Sequence, residues 1–278
     1  MSVGEPIGVF DSGFGGLTVV RSLVEQLPNE DLIYLGDTAR APYGPRPIAE
    51  VREFALQGLD FLVDQGVKAL VIACNSASSA AIRDARERYD VPIIDVVLPA
   101  ATRAVATTRN GRVGVIATES TVSSGSYDEA VAVAQHVQLT KQAAPRFVEF
   151  VEAGVTGGPE LLDVAREYLA PIQRAHCDTL ILGCTHYPLL QGVISFVLGD
   201  SVTLVSSSDA CAQATYSRLA QMSLLRHHPR EARRTFFTTG DPRDFRGIGR
   251  RLVGGFVGNA TTVKLGQGPE RSTPCAYE

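Results

Sequence analysis

The chain has 278 residues and a mass of 29.7 kDa, with 45% apolar and 20% charged residues, enough for one large core or two modest ones and too apolar for disorder. A formal net charge of −4, a pI near 5.8 and 23 arginines scattered with 3 lysines leave no clustered basic footprint, which excludes general nucleic-acid binding. Five cysteines without a CxxC pair argue against a disulfide framework, and the lack of a signal-like start or a long apolar run is read as a soluble, cytoplasmic protein without a membrane span.

In chain order, short runs rich in Val, Ile and Leu predict buried strands at 7–10, 32–36, 69–74, 93–97, 113–117, 179–183 and 202–205. Amphipathic stretches predict helices at 17–26, 48–65, 77–89, 122–134 and 159–175. Strands alternating with helices make parallel βαβ units, so the fold class is α/β. Two segments echo each other: Ile7 to Ser12 resembles Val113 to Thr118, and Ala69 to Asn75 resembles Thr179 to Thr185, with Cys74 and Cys184 at matching places. Either buried parallel strands simply share a composition, or two similar α/β halves place both cysteines at strand carboxyl ends, where open sheets bind ligands. On the second reading the site lies in a cleft between a discontinuous first domain, residues 1–98 with 208–278, and a second one, 99–207. Soft boundaries fall near 98–103 and 206–209.

The first strand runs into Asp11-Ser12-Gly13-Phe14-Gly15-Gly16 and then a helix. Glycines there admit a ligand to the backbone, and free N–H groups at a helix start attract an anion. A dinucleotide fingerprint fails at its third glycine, where Thr18 stands, although Asp37 lies where a ribose-binding acid would; no Gly-Lys-Ser/Thr follows for a P-loop. A capped strand-to-helix turn and a carboxylate site both fit. Ala41-Pro42-Tyr43-Gly44-Pro45 is a rigid loop, structural or substrate-facing. Cys74 precedes Asn75 and Ser76, and Cys184 precedes Thr185 and His186. Each thiol ends a strand and begins a predicted helix, whose N-terminus lowers a thiol pKa, and His186 could hold or accept a proton. Cys177, Cys184 and His186 lack paired ligand spacing, so no metal is expected, and Cys177, Cys211 and Cys275 receive no role. Pyridoxal phosphate needs a lysine at the site, and Lys68, Lys141 and Lys264 are all poorly placed, so no cofactor is expected. The basic segment 226–234 reads as a solvated loop, and the tail from 267 as poorly ordered.

Asp-Ser-Gly-x-Gly-Gly, Pro-Tyr-Gly, Cys-Asn-Ser and Gly-Cys-Thr-His-Tyr-Pro, in that order from about Ile7 to Gly266, resemble the cofactor-independent aspartate/glutamate racemase family, and within it the glutamate racemases. The resemblance implies two α/β domains with pseudo-twofold symmetry, interconversion of L- and D-glutamate, supply of D-glutamate to peptidoglycan, and a homodimer. It implies Cys74 as base for the D-enantiomer and Cys184 for the L-enantiomer, with Asp11 assisting the first and His186 the second. Glu152 matches a further family acid or is an exposed helix acid. Matching substrate-binding positions are Asp11, Ser12, Tyr43, Gly44, Asn75, Ser76, Thr185 and His186, extended by Thr118 and Thr121. No Arg or Lys lies in these motifs, so hydroxyls, amides and backbone N–H groups are expected to hold the carboxylates. The family commonly has Cys-Asn-Thr where this chain has Ser76, a methyl fewer with the hydroxyl kept. Aspartate racemisation and a non-enzymatic anion-binding protein are the competing readings.

Overall fold

A computed structural model describes residues 1–227 and 231–266; the tail from 267, with Cys275, lies outside the described residues. Along the chain come β1 (Ile7–Asp11), α1 (Leu17–Gln26), β2 (Leu32–Gly36), α2 (Ile48–Asp64), β3 (Ala69–Ile72), α3 (Asn75–Arg88), β4 (Ile93–Asp95) and α4 (Val97–Thr107). Then follow β5 (Arg112–Ala117), α5 (Glu119–Ser123), α6 (Ser126–Val131), β6 (Gln138–Ala143), α7 (Arg146–Glu152), α8 (Pro159–Arg174) and β7 (Thr179–Gly183). A 3₁₀ turn (Tyr187–Leu190), α9 (Gln191–Leu198), β8 (Thr203–Ser206), α10 (Ser207–Gln221), β9 (Arg234–Thr238), α11 (Pro242–Val253) and β10 (Ala260–Thr262) complete it.

The strands form two all-parallel sheets, ordered β10-β9-β2-β1-β3-β4 and β6-β5-β7-β8. The second repeats the inner order of the first, with β5, β6, β7 and β8 in the places of β1, β2, β3 and β4. This is the echo seen in the sequence, now as topology. β9 and β10 return to the first sheet after the second is finished. The boundary expected at 98–103 falls inside α4.

The period of two along each strand sorts its side chains between layers. Phe10, Leu70 and Ile72 face α2, whose Val51, Ala55, Leu59 and Leu62 recur at helical spacing, and α3, whose Ala77, Ala81 and Ala85 do the same. Ile7, Val9, Ala69 and Val71 face the other way, into a core that runs on through α1 to Ile116, Leu180 and Leu182 of the second sheet. Val113, Val115, Ala117 and Ile181 bury the far face under α4 and α6. One apolar layer is thus common to both sheets. Among the described residues no helix is long and apolar enough to cross a membrane.

Two expectations need correction. The helix expected at 122–134 is two short helices, α5 and α6, because Gly125 adopts φ +74° between them, a left-handed conformation that ends one helix and starts another. The basic segment from Arg226 does not begin as a solvated loop. The Arg226 side chain is 8% exposed, lies 3.2 Å from Asp31 and donates to the Gly4 carbonyl at 2.7 Å, while its backbone N–H donates to Glu30 Oε1 at 2.8 Å. Glu30 Oε2 sits 2.6 Å from Lys68 Nζ, which also donates to the carbonyls of Val3 and Leu224. The reason is topological: the chain leaving α10 must cross the amino-terminal edge of the first sheet to reach β9, and carboxylates are stationed there. Residues 228–230 lie outside the described residues.

Breaking a buried ion pair from one side strands the other charge. Lys68→Ala, which leaves the Glu30 charge buried with the Arg226 N–H but without its cation, is expected to lower unfolding stability by about 3–5 kcal/mol, read as a shift in urea midpoint at unchanged slope.

Candidate active site

The carboxyl ends of β1, β3, β5 and β7 meet around one cavity of about 240 Å³. Its walls include Cys74 from the first sheet and Cys184 from the second, together with Ser12, Tyr43, Gly44, Asn75, Ser76, Thr118, Glu152, Thr185 and His186. Asp11 and Thr121 are not on the wall but behind it.

Asp11 ends β1 and organises the glycine turn. Its Oδ2 accepts the Gly13 N–H at 2.9 Å, and Tyr34 braces the same turn by donating to the Gly13 carbonyl at 2.9 Å. Oδ1 has no partner among the described residues. Burial pushes the Asp11 carboxyl up against the opposing pull of the Gly16 and Gly13 amides and the nearby His186.

Cys74 caps α3. Its sulfur accepts the Ala77 N–H at 3.4 Å, and the thiol donates to Ser12 Oγ at 3.4 Å. The expectation that a helix start would lower this pKa is reversed. Burial and the Asp11 charge push the thiol up to about 12, outweighing Ser12 and Ala77. Ser12 and Ala77 are the hydrogen-bond partners of Cys74, and Asp11 acts on it through charge.

Cys184 follows β7 and enters the 3₁₀ turn rather than an α-helix. Its sulfur lies 3.7 Å from His186 Nδ1, and His186 Nε2 lies 3.2 Å from Glu152 Oε1 on α7. Burial works against a charged imidazole, but Cys184 and Glu152 prevail and carry His186 up to about 10. Glu152 is thus no idle surface acid.

The remaining polar wall comes from α3 and the start of α5. Asn75 Oδ1 accepts from Tyr127 at 2.9 Å, which leaves the buried Nδ2 without a partner among the described residues and free to donate into the cavity. Ser76 and Thr118 hydroxyls lie 3.0 Å apart, with Thr121 backing Thr118 at 3.0 Å. Tyr43 reaches the wall, but its hydroxyl donates to buried Asp37, which also accepts from Thr239 and Arg40. The Gly44 carbonyl receives the Ser120 N–H at 3.1 Å, so the loop of the first sheet rests on α5 of the second.

Among the described residues no Lys or Arg lines the cavity. Sequence reasoning missed Glu119, Pro145, Val148 and Glu149, which also line it. Glu149 stands one turn before Glu152, a relation visible only once 146–152 is known to be helical. The site can hold a small amino acid between two sulfurs, with a cationic ring, an amide and hydroxyls as donors.

Because the folded pKa of His186 lies above that of a free imidazole, its protonation stabilises the fold fully below about pH 6.5, declines from there, and is lost above about pH 10. Glu152→Gln is expected to move the His186 titration downward in an NMR pH series and to shrink that contribution in denaturation midpoints measured between pH 6 and 10.

A model of the Asp/Glu/hydantoin racemase family matches residues 7–215. The chain is 60% identical over 253 residues to the glutamate racemase of Parafrankia sp., covering 90% of this chain and 91% of that protein. Among solved structures, the glutamate racemase of Francisella tularensis in complex with D-glutamate superposes with a TM-score of 0.88 at 36% identity, over 94% of this chain and 98% of that one. The Thermus thermophilus glutamate racemase, in complex with beta-chloro-D-alanine, gives 0.86 at 45% identity, over 95% and 98%.

Proposed function

The chain belongs to the Asp/Glu/hydantoin racemase family, and from that membership we propose that it interconverts L- and D-glutamate without a cofactor, by proton transfer between two thiols. The observation that carries the reading is the pair Cys74 and Cys184: equivalent strand ends of two repeated sheets each deliver one sulfur to a single cavity. Inversion at the α-carbon requires a proton to leave one face and another to arrive on the opposite face. Two groups are needed, each within hydrogen-bond reach of that carbon.

In the L-to-D direction the Cys184 sulfur takes the α-proton and Cys74 supplies one from the other side. The high pKa of Cys74 suits it to rest as the proton donor. In the D-to-L direction Cys74 must first lose its proton to solvent in the cavity, a loss that the charge of the ammonium group of a bound amino acid favours. His186, held protonated by Glu152, faces the Cys184 sulfur and orients it. Ser12 does the corresponding work for Cys74, with Asp11 setting the turn that carries Ser12. The unpartnered Asn75 amide and the hydroxyls of Ser76, Thr118 and Thr185 are the donors for the substrate carboxylates, fixed before the substrate arrives. The D-glutamate formed is taken to supply peptidoglycan.

The test is exchange in D₂O with metal-free protein and no added cofactor. L-Glutamate is expected to lose its α-proton signal while optical rotation decays toward zero. Cys74→Ser and Cys184→Ser should each slow racemisation by about 10²-fold or more while leaving the fold intact. No exchange with glutamate but exchange with aspartate would transfer the reading to the shorter acid; no exchange with either would leave the sulfurs as packing groups.

A further inference from the structure

Thr18 occupies the position at which the dinucleotide pattern of the first turn breaks down. Its side chain is 1% exposed, at the second residue of α1. The hydroxyl lies 2.9 Å from the Gly15 carbonyl, 2.9 Å from the Thr185 carbonyl and 2.9 Å from Ser208 Oγ. A hydroxyl has one proton and two acceptor sites. Both carbonyls can only accept, so Thr18 donates between them and Ser208 must be the group that donates to Thr18. The polarity of the cluster is therefore fixed.

The cluster joins parts of the chain that belong to different sheets. Gly15 is in the turn that also carries Ser12, the partner of Cys74. Thr185 lies between Cys184 and His186. Ser208 is the second residue of α10, and one turn along α1 Ser22 repeats the link by donating to Asp209 at 2.7 Å. The approach is tight: a Cβ on Gly15 would stand 2.2 Å from Thr185 Oγ1 and 2.5 Å from the His186 ring. Nothing else among the hydrogen bonds of the described residues reaches the Thr185 carbonyl. The orientation of the peptide leading from Thr185 into His186 thus depends on the Thr18 hydroxyl.

We infer that Thr18 is a positioning residue for the Cys184 side of the site: its hydroxyl holds the Thr185 carbonyl and so sets the sulfur of Cys184 and the ring of His186 against the turn that carries Ser12. The inference rests on the two-thiol reading above. It leads to an asymmetry between the enantiomers. Starting from D-glutamate, Cys74 breaks the α-C–H bond and forms an S–H bond, and Cys184 then gives its solvent-derived deuteron to the opposite face. If Cys184 is misplaced, that second transfer slows. The Cys74 thiol then has time to exchange with solvent and return a deuteron to the face it came from. The product is D-glutamate deuterated at the α-carbon without inversion. From L-glutamate the slow transfer comes first, and Cys74 captures the intermediate promptly.

The experiment follows deuterium incorporation and inversion together in D₂O, from each enantiomer, for wild type, Thr18→Val and Thr18→Ser. Thr18→Val keeps the shape and removes the donor. Its kcat should fall about tenfold, the rate equivalent of one hydrogen bond to a buried carbonyl. Its ratio of exchange to inversion should rise from D-glutamate and not from L-glutamate, and Thr18→Ser should restore both. An unchanged ratio, a change equal for the two enantiomers, or one confined to L-glutamate overturns the inference. If Thr18→Val does not fold, the same ratio is read on Thr18→Ala, which removes the hydroxyl without setting a methyl group against the two carbonyls; the same shift is expected and its absence is decisive. Failure of the wild type to racemise glutamate would instead remove the two-thiol reading itself, so the two failures are distinguishable.

Discussion

Gly15 and Thr185 approach so closely that one added carbon would have nowhere to go, and this contact between the two sheets constrains the rest of the molecule. Each sheet is parallel throughout and carries helices on both faces. Neither alone makes the cavity. The apolar layer shared from Ile7 and Val9 through to Leu180 and Leu182 brings the sheets together, but apolar packing is non-directional and tolerates sliding. Registration comes from the polar seam at the top of that layer, Thr18 with Thr185 and the Gly44 carbonyl with Ser120, while Ser208 and Asp209 of α10 hold Thr18 and Ser22 of α1 in place. These fix which atoms of one half face which atoms of the other.

Within the cavity, burial acts in opposite senses on groups of opposite charge. It drives Cys74 and Asp11 toward their neutral forms, since a buried anion loses its hydration. It would do the same to His186, yet there the neighbours win, because Cys184 and Glu152 both favour a cation between them. The two sulfurs therefore sit in different electrostatic surroundings although their strands are equivalent. Cys74 has a hydroxyl and a helix amide for company, and Cys184 has an imidazolium backed by a carboxylate.

The parts of this arrangement that could be read from the sequence are those written as local chemistry. β1, β3, β5 and β7 are continuous apolar runs, so their positions and the residues at their ends are legible, including both cysteines. β6 is not, because Gln138–Ala143 is a half-exposed edge strand made largely of polar residues. α7 is too short and α10 too rich in small residues to declare a period, and with α7 went the place of Glu149. The buried state of Arg226 and the committed hydroxyl of Tyr43 depend on carboxylates distant in sequence, Asp31 and Glu30 for the first and Asp37 for the second. Nor could the helix-start argument for Cys74 anticipate how completely the surrounding layers would exclude water.

The repeated strand order has a geometric corollary. Two copies of one topology are brought into coincidence by a rotation, whereas the two enantiomers of an amino acid are brought into coincidence only by a reflection. No rotation of a chiral object reproduces a mirror image. A pair of identical halves would offer rotation-related, equivalent subsites to substituents that differ, a carboxylate and an ammonium group. The unlike companions of the two sulfurs, Ser12 on one side and His186 with Glu152 on the other, break that equivalence. Divergence between the halves is what lets the cavity tell the substituents of one carbon apart.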